Sequence, residues 1–578
     1  MESIRILLLS ASRPSRTWKI AERIKREIPE AEISGIIQQA LPRLPLTQQL
    51  VIAGNADQEL FPGLALTKAG LWFRCVLEKL VHWLVWCIHG CPRGLNVVKR
   101  FTTTHLAEKC WQAGCPLLLA RDTNDAKILD FIQEHGNLVI VLGEVELDRE
   151  LWRLPARGLV RVRTEEDFAR AKEGIQIRLE YFVQGAEAGR TLACVSLPAQ
   201  PYDGWLGLTL KNDLIADDLL VETAKVLRQE RTIEGPEEVA RWVHQIYSPY
   251  LAQFEGRSLQ GAQVAPVQQR YRSTWKLCLD TLLLCSPLFV ARTWYRRCRG
   301  RYPVLVLTHH LVSDRPHRMG ISTESFWRQL RFLQRHYRIV CLSDAVELLR
   351  SGNVTAPTVV LTFDDGYRDN FVNLRAIADE VEVPVTLFIT TKPVDSQAEF
   401  QHDLANGCTG HLPLTWSQIC YWAPRGAEFG SHTQTHVDCG SADRTTLEQE
   451  IGGSREDMEA RLGAPVEFFA FPFGKRENLS AQALEIAASM YSYFASGLDG
   501  ENLPNKAINL PHLFRKNLYP NRWELELELQ SVFQRVDRWK GLLNLRPRAE
   551  SLQFKRQTAS ASSPAASGEL SSVWTKDN

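Results

Sequence analysis

The sequence predicts an α/β protein of two large units, and three observations carry that expectation. Short apolar strands alternate with helical patterns in both halves of the chain. Its 578 residues exceed one ordinary domain at roughly 100–200 residues each. A basic, aromatic-edged stretch in the middle separates the two alternating regions. The expected boundaries are an α/β domain over 1–230, a helical basic connector over 231–302, a second α/β domain over 303–545 and a disordered tail over 546–578, rich in Ser and Ala.

From the N-terminus, Ile4 to Ser10 reads as a first strand. The charge at Arg5 inside its apolar run argues against a signal peptide, so a cytoplasmic protein is expected. Strand Leu138 to Leu142 and helices Trp18 to Ile28, Asn124 to Glu134 and Val221 to Arg228 continue the alternation. Pro236 to Gln253 reads as a helix opening on Pro-Glu-Glu, a favourable first turn. Between Gln268 and Arg301, eight basic residues including Arg270, Lys276 and Arg301 bracket an apolar centre edged by Trp275, Trp294 and Tyr295. That pattern fits either a solvated interdomain helix or a membrane-surface segment. No stretch reaches the roughly 18 apolar residues of a span; Ala69 to Cys91 and Leu277 to Ala291 come nearest and carry charges.

Composition narrows the function. Hydrophobic residues are 44% and charged residues 23%, as in soluble globular proteins. Lys plus Arg (68) nearly cancels Asp plus Glu (67), so no basic field points to nucleic acid. The 13 cysteines contain no CxxC pair, which fits reduced thiols rather than a zinc ribbon or a disulfide framework.

Three segments carry chemistry. The strand Thr358 to Phe363 runs straight into Asp364-Asp365-Gly366, placing two carboxylates at a strand's C-terminal end, where barrel enzymes keep their catalytic groups. Such a turn lets one carboxylate ligate a metal while the other handles a proton. Downstream, His432 and His436 are spaced to share one face of a helical turn and converge on one ion. Two histidines and a carboxylate leave coordination positions open, as a catalytic metal site requires. The third segment, Phe468 to Gly474, is a strand ending in a proline-bounded turn.

In this order, Thr362 to Gly366, His432 to His436 and Phe471 to Gly474 resemble the motifs of the polysaccharide deacetylase family, also called NodB-like deacetylases. The lead-in Pro303 to His310 and Phe326 to Leu330 looks similar too. The resemblance implies an irregular (β/α) barrel. Asp364 would be the general base, Asp365, His432 and His436 the ligands of a divalent ion, zinc in the first instance, and the Phe473 amide an oxyanion donor. Ala470 stands where many members place an arginine that holds the base aspartate. The late general acid would be His512; an alternative alignment reads Leu513-Phe514-Arg515 as the family's leucine-x-arginine strand and makes His512 an ordinary neighbour.

Residues 1–230 more faintly resemble the formyltransferase fold, a Rossmann-like α/β domain, through Ile4 to Ser10, Asn124 to Gly143 and Gly174 to Lys211. The family's Asn-x-His pair falls on Arg161 and Arg163, and its aspartate on Glu187. An arginine stays charged near pH 7 and exchanges no proton there, so this half is expected to bind or scaffold without catalysis.

The resulting expectation is a metal-dependent hydrolase that removes an N-acetyl group from an acylated amino sugar of a polysaccharide or its lipid-linked precursor, with peripheral membrane association through 270–301 at the inner face of the plasma membrane. The alternatives are an N-deformylase of a formamido sugar, or a catalytically silent glycan-binding scaffold.

Overall fold

The structure, a computed structural model, describes residues 4–39, 102–120, 126–143, 158–165, 174–183, 189–200, 203–229, 237–254, 274–498, 500–504, 511–517 and 522–531, with isolated positions 76, 80, 83, 145 and 233. Glu187, most of the 69–91 stretch and the tail expected over 546–578 lie outside the described residues. Two compact units emerge, one drawn from 1–59, 98–261 and 372–381, the other from 60–97, 262–371 and 382–578.

The first unit is built on strands β1 (Ile4–Ser10), β2 (Ala31–Gln39), β3 (Leu117–Ala120), β4 (Leu138–Leu142), β5 (Leu159–Glu165), β6 (Ile175–Phe182) and β7 (Arg190–Leu197). Their order in the sheet is β3-β2-β1-β4-β5-β6-β7. Strands β1 to β5 pair in parallel, and β6 runs antiparallel to both neighbours. Leu7 to Leu9 and Leu138 to Leu142 are almost fully buried, which is why these strands read as continuous apolar runs rather than alternating ones. The sheet thus bears out an α/β first half. Arg161 meets Glu180 directly across the β5–β6 ladder; its Nε donates to Glu180 Oε2 at 2.6 Å and its guanidinium lies 5.0 Å from the Phe182 ring.

Helix Trp205–Gln229 is longer than the stretch predicted from Val221. Its residues are buried nearly all round, including Lys211 and Asp218, so no amphipathic period marks its first half. The helix expected over Pro236 to Gln253 is two helices, Glu237–Ile246 and Ser248–Ala252, the second with Pro249 in its first turn. The basic middle stretch likewise folds as Thr274–Leu284 and Pro287–Arg299. No single helix among the described residues is long and apolar enough to cross a membrane, although this pair, bent by 52°, meets the length and composition together. Leu277, Leu284 and Phe289 pack with Trp523 and Leu527, whereas Trp275, Leu279, Leu282, Leu288, Trp294 and Tyr295 are exposed.

The second unit is a (β/α) barrel. Its strands are β8 (Val304–His309), β9 (Leu311–Val312), β10 (Gly320–Ile321), β11 (Arg338–Ile339), β12 (Thr358–Phe363), β13 (Val385–Ile389), β14 (Ala427–Ser431), β15 (Phe468–Ala470), β16 (Tyr493–Ser496) and β17 (His512–Asn517). The order is β11-β12-β13-β14-β15-β16-β17-β8, and β8 also pairs with β12. That last pairing closes a ring of seven parallel strands, with β11 added against the start of β12. Val304, Val306, Val360, Phe388, Phe468, Ala470, Ala495 and Leu513 belong to one core cluster. Truncating Phe388 to alanine there would cost about 3–5 kcal/mol. Asp364, His432 and Phe471 directly follow β12, β14 and β15, so the chemistry-bearing segments gather at the strands' C-terminal ends.

Candidate active site

Each functional side chain is aimed by a local backbone feature. Asp365 has φ 70° and Gly366 φ 85°. A Cβ on Gly366 would stand 2.8 Å from Ile389 Cδ1, so only glycine fits this reversal. The left-handed turn sends Asp364 and Asp365 in different directions. Both are buried.

His432 and His436 do not lie on a helical turn, contrary to the spacing-based expectation. Residues 432–436 form an irregular bend after β14 in which Thr433 and His436 have φ 66° and 65°. Thr433 Oγ1 accepts the His436 N–H at 3.0 Å. Glu450, from helix Arg444–Leu462, accepts the Thr435 N–H at 2.8 Å and its hydroxyl at 2.7 Å. Left-handed residues at 365, 433, 436 and 473 make up most of the non-glycine positive φ values among the described residues. Strain of this kind, about 1–3 kcal/mol per residue, concentrates where function demands a particular aim.

The bend brings His432 Nε2 to 3.5 Å and His436 Nε2 to 3.2 Å from Asp365 Oδ1. All three ligand atoms lie within 4.8 Å of one another. The donor chemistry fits a divalent ion. His432 Nδ1 donates to the Ala470 carbonyl at 2.7 Å, which leaves the Nε2 lone pair facing Asp365. Both Asp365 oxygens are buried without a hydrogen-bond partner, a costly arrangement unless a cation meets them. Burial opposes ionisation of Asp365, yet His436 and His402 hold it well below the usual carboxylate range. Burial pushes His432 down to about 4, so it is neutral, as a ligand must be.

Asp364 stands beside this group. Burial would raise its pKa, but Arg515, followed by His432 and His310, brings it below the ordinary carboxylate value. Arg515 Nη1 donates to Asp364 Oδ1 at 2.6 Å, with both side chains nearly fully buried. An arginine from β17 therefore does what Ala470 cannot. His512 is not brought to this group. It opens β17, its Nε2 is 2.7 Å from Ser496 Oγ, and its ring stacks on Phe494 and meets Phe514. Burial depresses it to about 4. Of the two alignments of this strand, the geometry agrees with the one that makes Arg515 the functional residue and His512 its neighbour.

Phe473 has φ 60° and is half exposed. Its ring meets His436 edge-on at 4.7 Å, and its N–H has no hydrogen-bond partner among the described residues. That amide is available as an oxyanion donor.

A second group, His317, Asp403 and Cys408, also has ligand-type atoms within 4.8 Å. There, however, His317 Nδ1 accepts the Met319 N–H at 3.1 Å. The proton then sits on Nε2, 3.1 Å from Asp403 Oδ1, so His317 in this tautomer offers no ring lone pair to an ion.

Residues 351–491, which include Asp364, Asp365, His432, His436 and Phe473, match the sequence profile of the family described as Polysaccharide deacetylase. A curated relative, gellan lyase from a Bacillus species, is 25% identical over 174 residues, 30% of this chain. The chain spans about 6% of that relative's length. Among solved structures, the deacetylase PplD of Streptococcus pyogenes in complex with acetate is 20% identical, with 40% of this chain and 98% of that one covered at a TM-score of 0.34. IcaB from Ammonifex degensii is 21% identical, with 39% and 97% covered at a TM-score of 0.34.

Proposed function

We propose that this chain is a metal-dependent hydrolase that removes an N-acetyl group from an amino sugar of a polysaccharide or its lipid-linked precursor. The observation that carries the reading is the convergence of Asp365, His432 and His436 beside an arginine-held Asp364, inside a polysaccharide deacetylase domain. Asp365, His432 and His436 would hold the ion. When bound, it would supply Lewis acidity toward the amide carbonyl and a readily ionised water. Asp364 would take the proton as water adds to the carbonyl carbon, and the Phe473 N–H would donate to the developing oxyanion. As the C–N bond breaks, that proton goes to the departing amine, giving acetate and a free amino sugar. Arg515 keeps Asp364 ionised and fixed in direction, so the base is ready before substrate arrives.

The first unit fits a binding role rather than a second reaction. A formyltransferase-like ancestry is supported by its mixed doubly wound sheet, while Arg161, at the position of the expected catalytic pair, is engaged with Glu180. A cavity of about 440 Å³ lies beyond the C-terminal ends of β1, β4 and β5, lined by Ser12, Gly143, Thr164 and Asn212 among others. The exposed Trp275, Trp294 and Leu282 with their basic neighbours support attachment to an anionic membrane surface on the cytoplasmic side. Replacing Trp275 and Trp294 by serine should then abolish flotation of the full chain with anionic vesicles.

The test of the reaction is metal content together with acetate and formate release from N-acylated hexosamine oligomers. Wild type should bind one ion at this site and release acetate, whereas Asp364→Asn and His432→Ala should not release it. Formate alone would change the acyl group. Neither product, and no bound metal, would leave a glycan-binding scaffold.

A further inference from the structure

Behind the proposed metal ligands lies a buried chain of polar groups whose proton positions the structure determines. Asp365 Oδ1 faces His432 and His436, but its other oxygen, Oδ2, faces His402 Nε2 at 3.6 Å. The His402 and His436 rings are 4.5 Å apart. By proximity alone, His402 would be taken for a fourth ligand.

The neighbours decide otherwise. Tyr367, the residue after the Asp-Asp-Gly turn, is fully buried. Its hydroxyl donates to Asp403 Oδ2 at 2.7 Å. A phenol has one proton, so at its 3.0 Å contact with His402 Nε2 the Tyr367 oxygen can only accept. His402 Nε2 must therefore carry the hydrogen. On its other side Asp403 Oδ1 lies 3.1 Å from His317 Nε2, a close contact without hydrogen-bond alignment, while His317 Nδ1 accepts the Met319 N–H at 3.1 Å. The direction of the two Tyr367 contacts is fixed from Asp403 to His402. A nitrogen that carries a hydrogen has no lone pair for a metal.

We infer that Tyr367, its hydroxyl committed to Asp403, locks His402 as an N–H donor beside Asp365 Oδ2, making His402 a positioning residue of the metal-binding carboxylate rather than a ligand. This rests on the reading of Asp365, His432 and His436 as an ion site. Oδ1 faces His432 and His436, while Oδ2, which makes no hydrogen bond, has the polarised His402 N–H 3.6 Å away as its neighbour. Partners of this kind around a ligating group change metal affinity by about 10–100-fold when removed.

The test uses the full chain, stripped of metal and titrated with zinc against a chromophoric chelator, with cobalt(II) d–d spectra of the same proteins. Tyr367→Phe and His402→Ala should each weaken zinc binding by about tenfold or more, while the cobalt spectrum keeps its wild-type shape because no ligand is lost. His402→Gln, which can still donate an N–H, should recover part of the affinity. His432→Ala should abolish binding and serves as the separate check of the ion site. Unchanged affinity in both Tyr367→Phe and His402→Ala would overturn the lock with the ion site intact. So would a cobalt spectrum altered in shape by His402→Ala, which would show a lost ligand. A wild type that binds no zinc at all would remove the ion site and the lock together.

Discussion

Arg515 and Asp364 form the pair on which the site's electrostatics turn, and its strength can be measured apart from catalysis. Replacing Arg515 by alanine leaves a carboxylate buried with its nearest positive charge gone. Both side chains are 5% exposed or less and the contact is 2.6 Å, so the substitution belongs with broken buried ion pairs, at about 3–5 kcal/mol. Asp364→Asn leaves the guanidinium unpaired instead and should also destabilise. The double variant removes both charges, and the two losses should therefore fail to add, by about 0.5–3 kcal/mol. The assay is urea unfolding of the metal-stripped full chain at pH 7 for the four proteins of the cycle. The pH dependence has a fixed sign. Asp364 has a depressed folded pKa, so the pair's contribution is present above the unfolded carboxylate value of about 3.9 and fades as pH falls through the lower folded value. A coupling near zero at pH 7, or one that grows in acid, would refute the assignment of Arg515 as the group that holds Asp364.

Three further outcomes follow from the same geometry. Gly366→Ala, at φ 85° with its new methyl 2.8 Å from Ile389, should lower stability by about 1–3 kcal/mol, read as a shift in urea midpoint; no shift would mean that the turn relaxes. Glu450→Ala frees Thr435 from its two hydrogen bonds and should weaken zinc affinity by about tenfold, whereas unchanged affinity would show that the bend holds His436 unaided. His512, depressed to about 4 by burial, contributes stability that is complete above the unfolded histidine value of about 6.5 and is lost as pH falls from there toward 4. His512→Gln should flatten that loss in a pH series of urea midpoints and leave zinc affinity unchanged; a loss of affinity would return His512 to the site.

How far the sequence spoke depended on whether a feature was local. Strand β12 was legible to the residue because a run of β-branched and apolar residues stops at two carboxylates, a change of chemistry that nothing tertiary can hide. The histidine pair was legible as a pair but not as a shape. A spacing of four suits a helical turn, and equally a bend reversed by left-handed residues at 433 and 436, which the types Thr and His do not announce. The choice between His512 and Arg515 depends on the register of β17 against β16 and β8, a property of barrel closure absent from any window of sequence. The same holds for His402 and Asp403, which reach Tyr367 across more than thirty residues of chain. Helix Trp205–Gln229 was hidden for the opposite reason, since burial on every side erases the period that would reveal it.

The extra strand β11 has a consequence for where the barrel can breathe. One edge of β12 is paired with β8 along all six residues, while its other edge is shared, β11 taking the first two residues and β13 the last two. By contrast, β15 is three residues long and meets β14 at a single position. Amide hydrogens under the two carboxylates should therefore exchange with solvent only when the whole barrel opens, whereas those beside Ala470 and Phe471 should exchange through small local openings. Asp364 and Asp365 would then stand on the slowly exchanging side of the barrel, and the Phe473 turn on the side that opens locally.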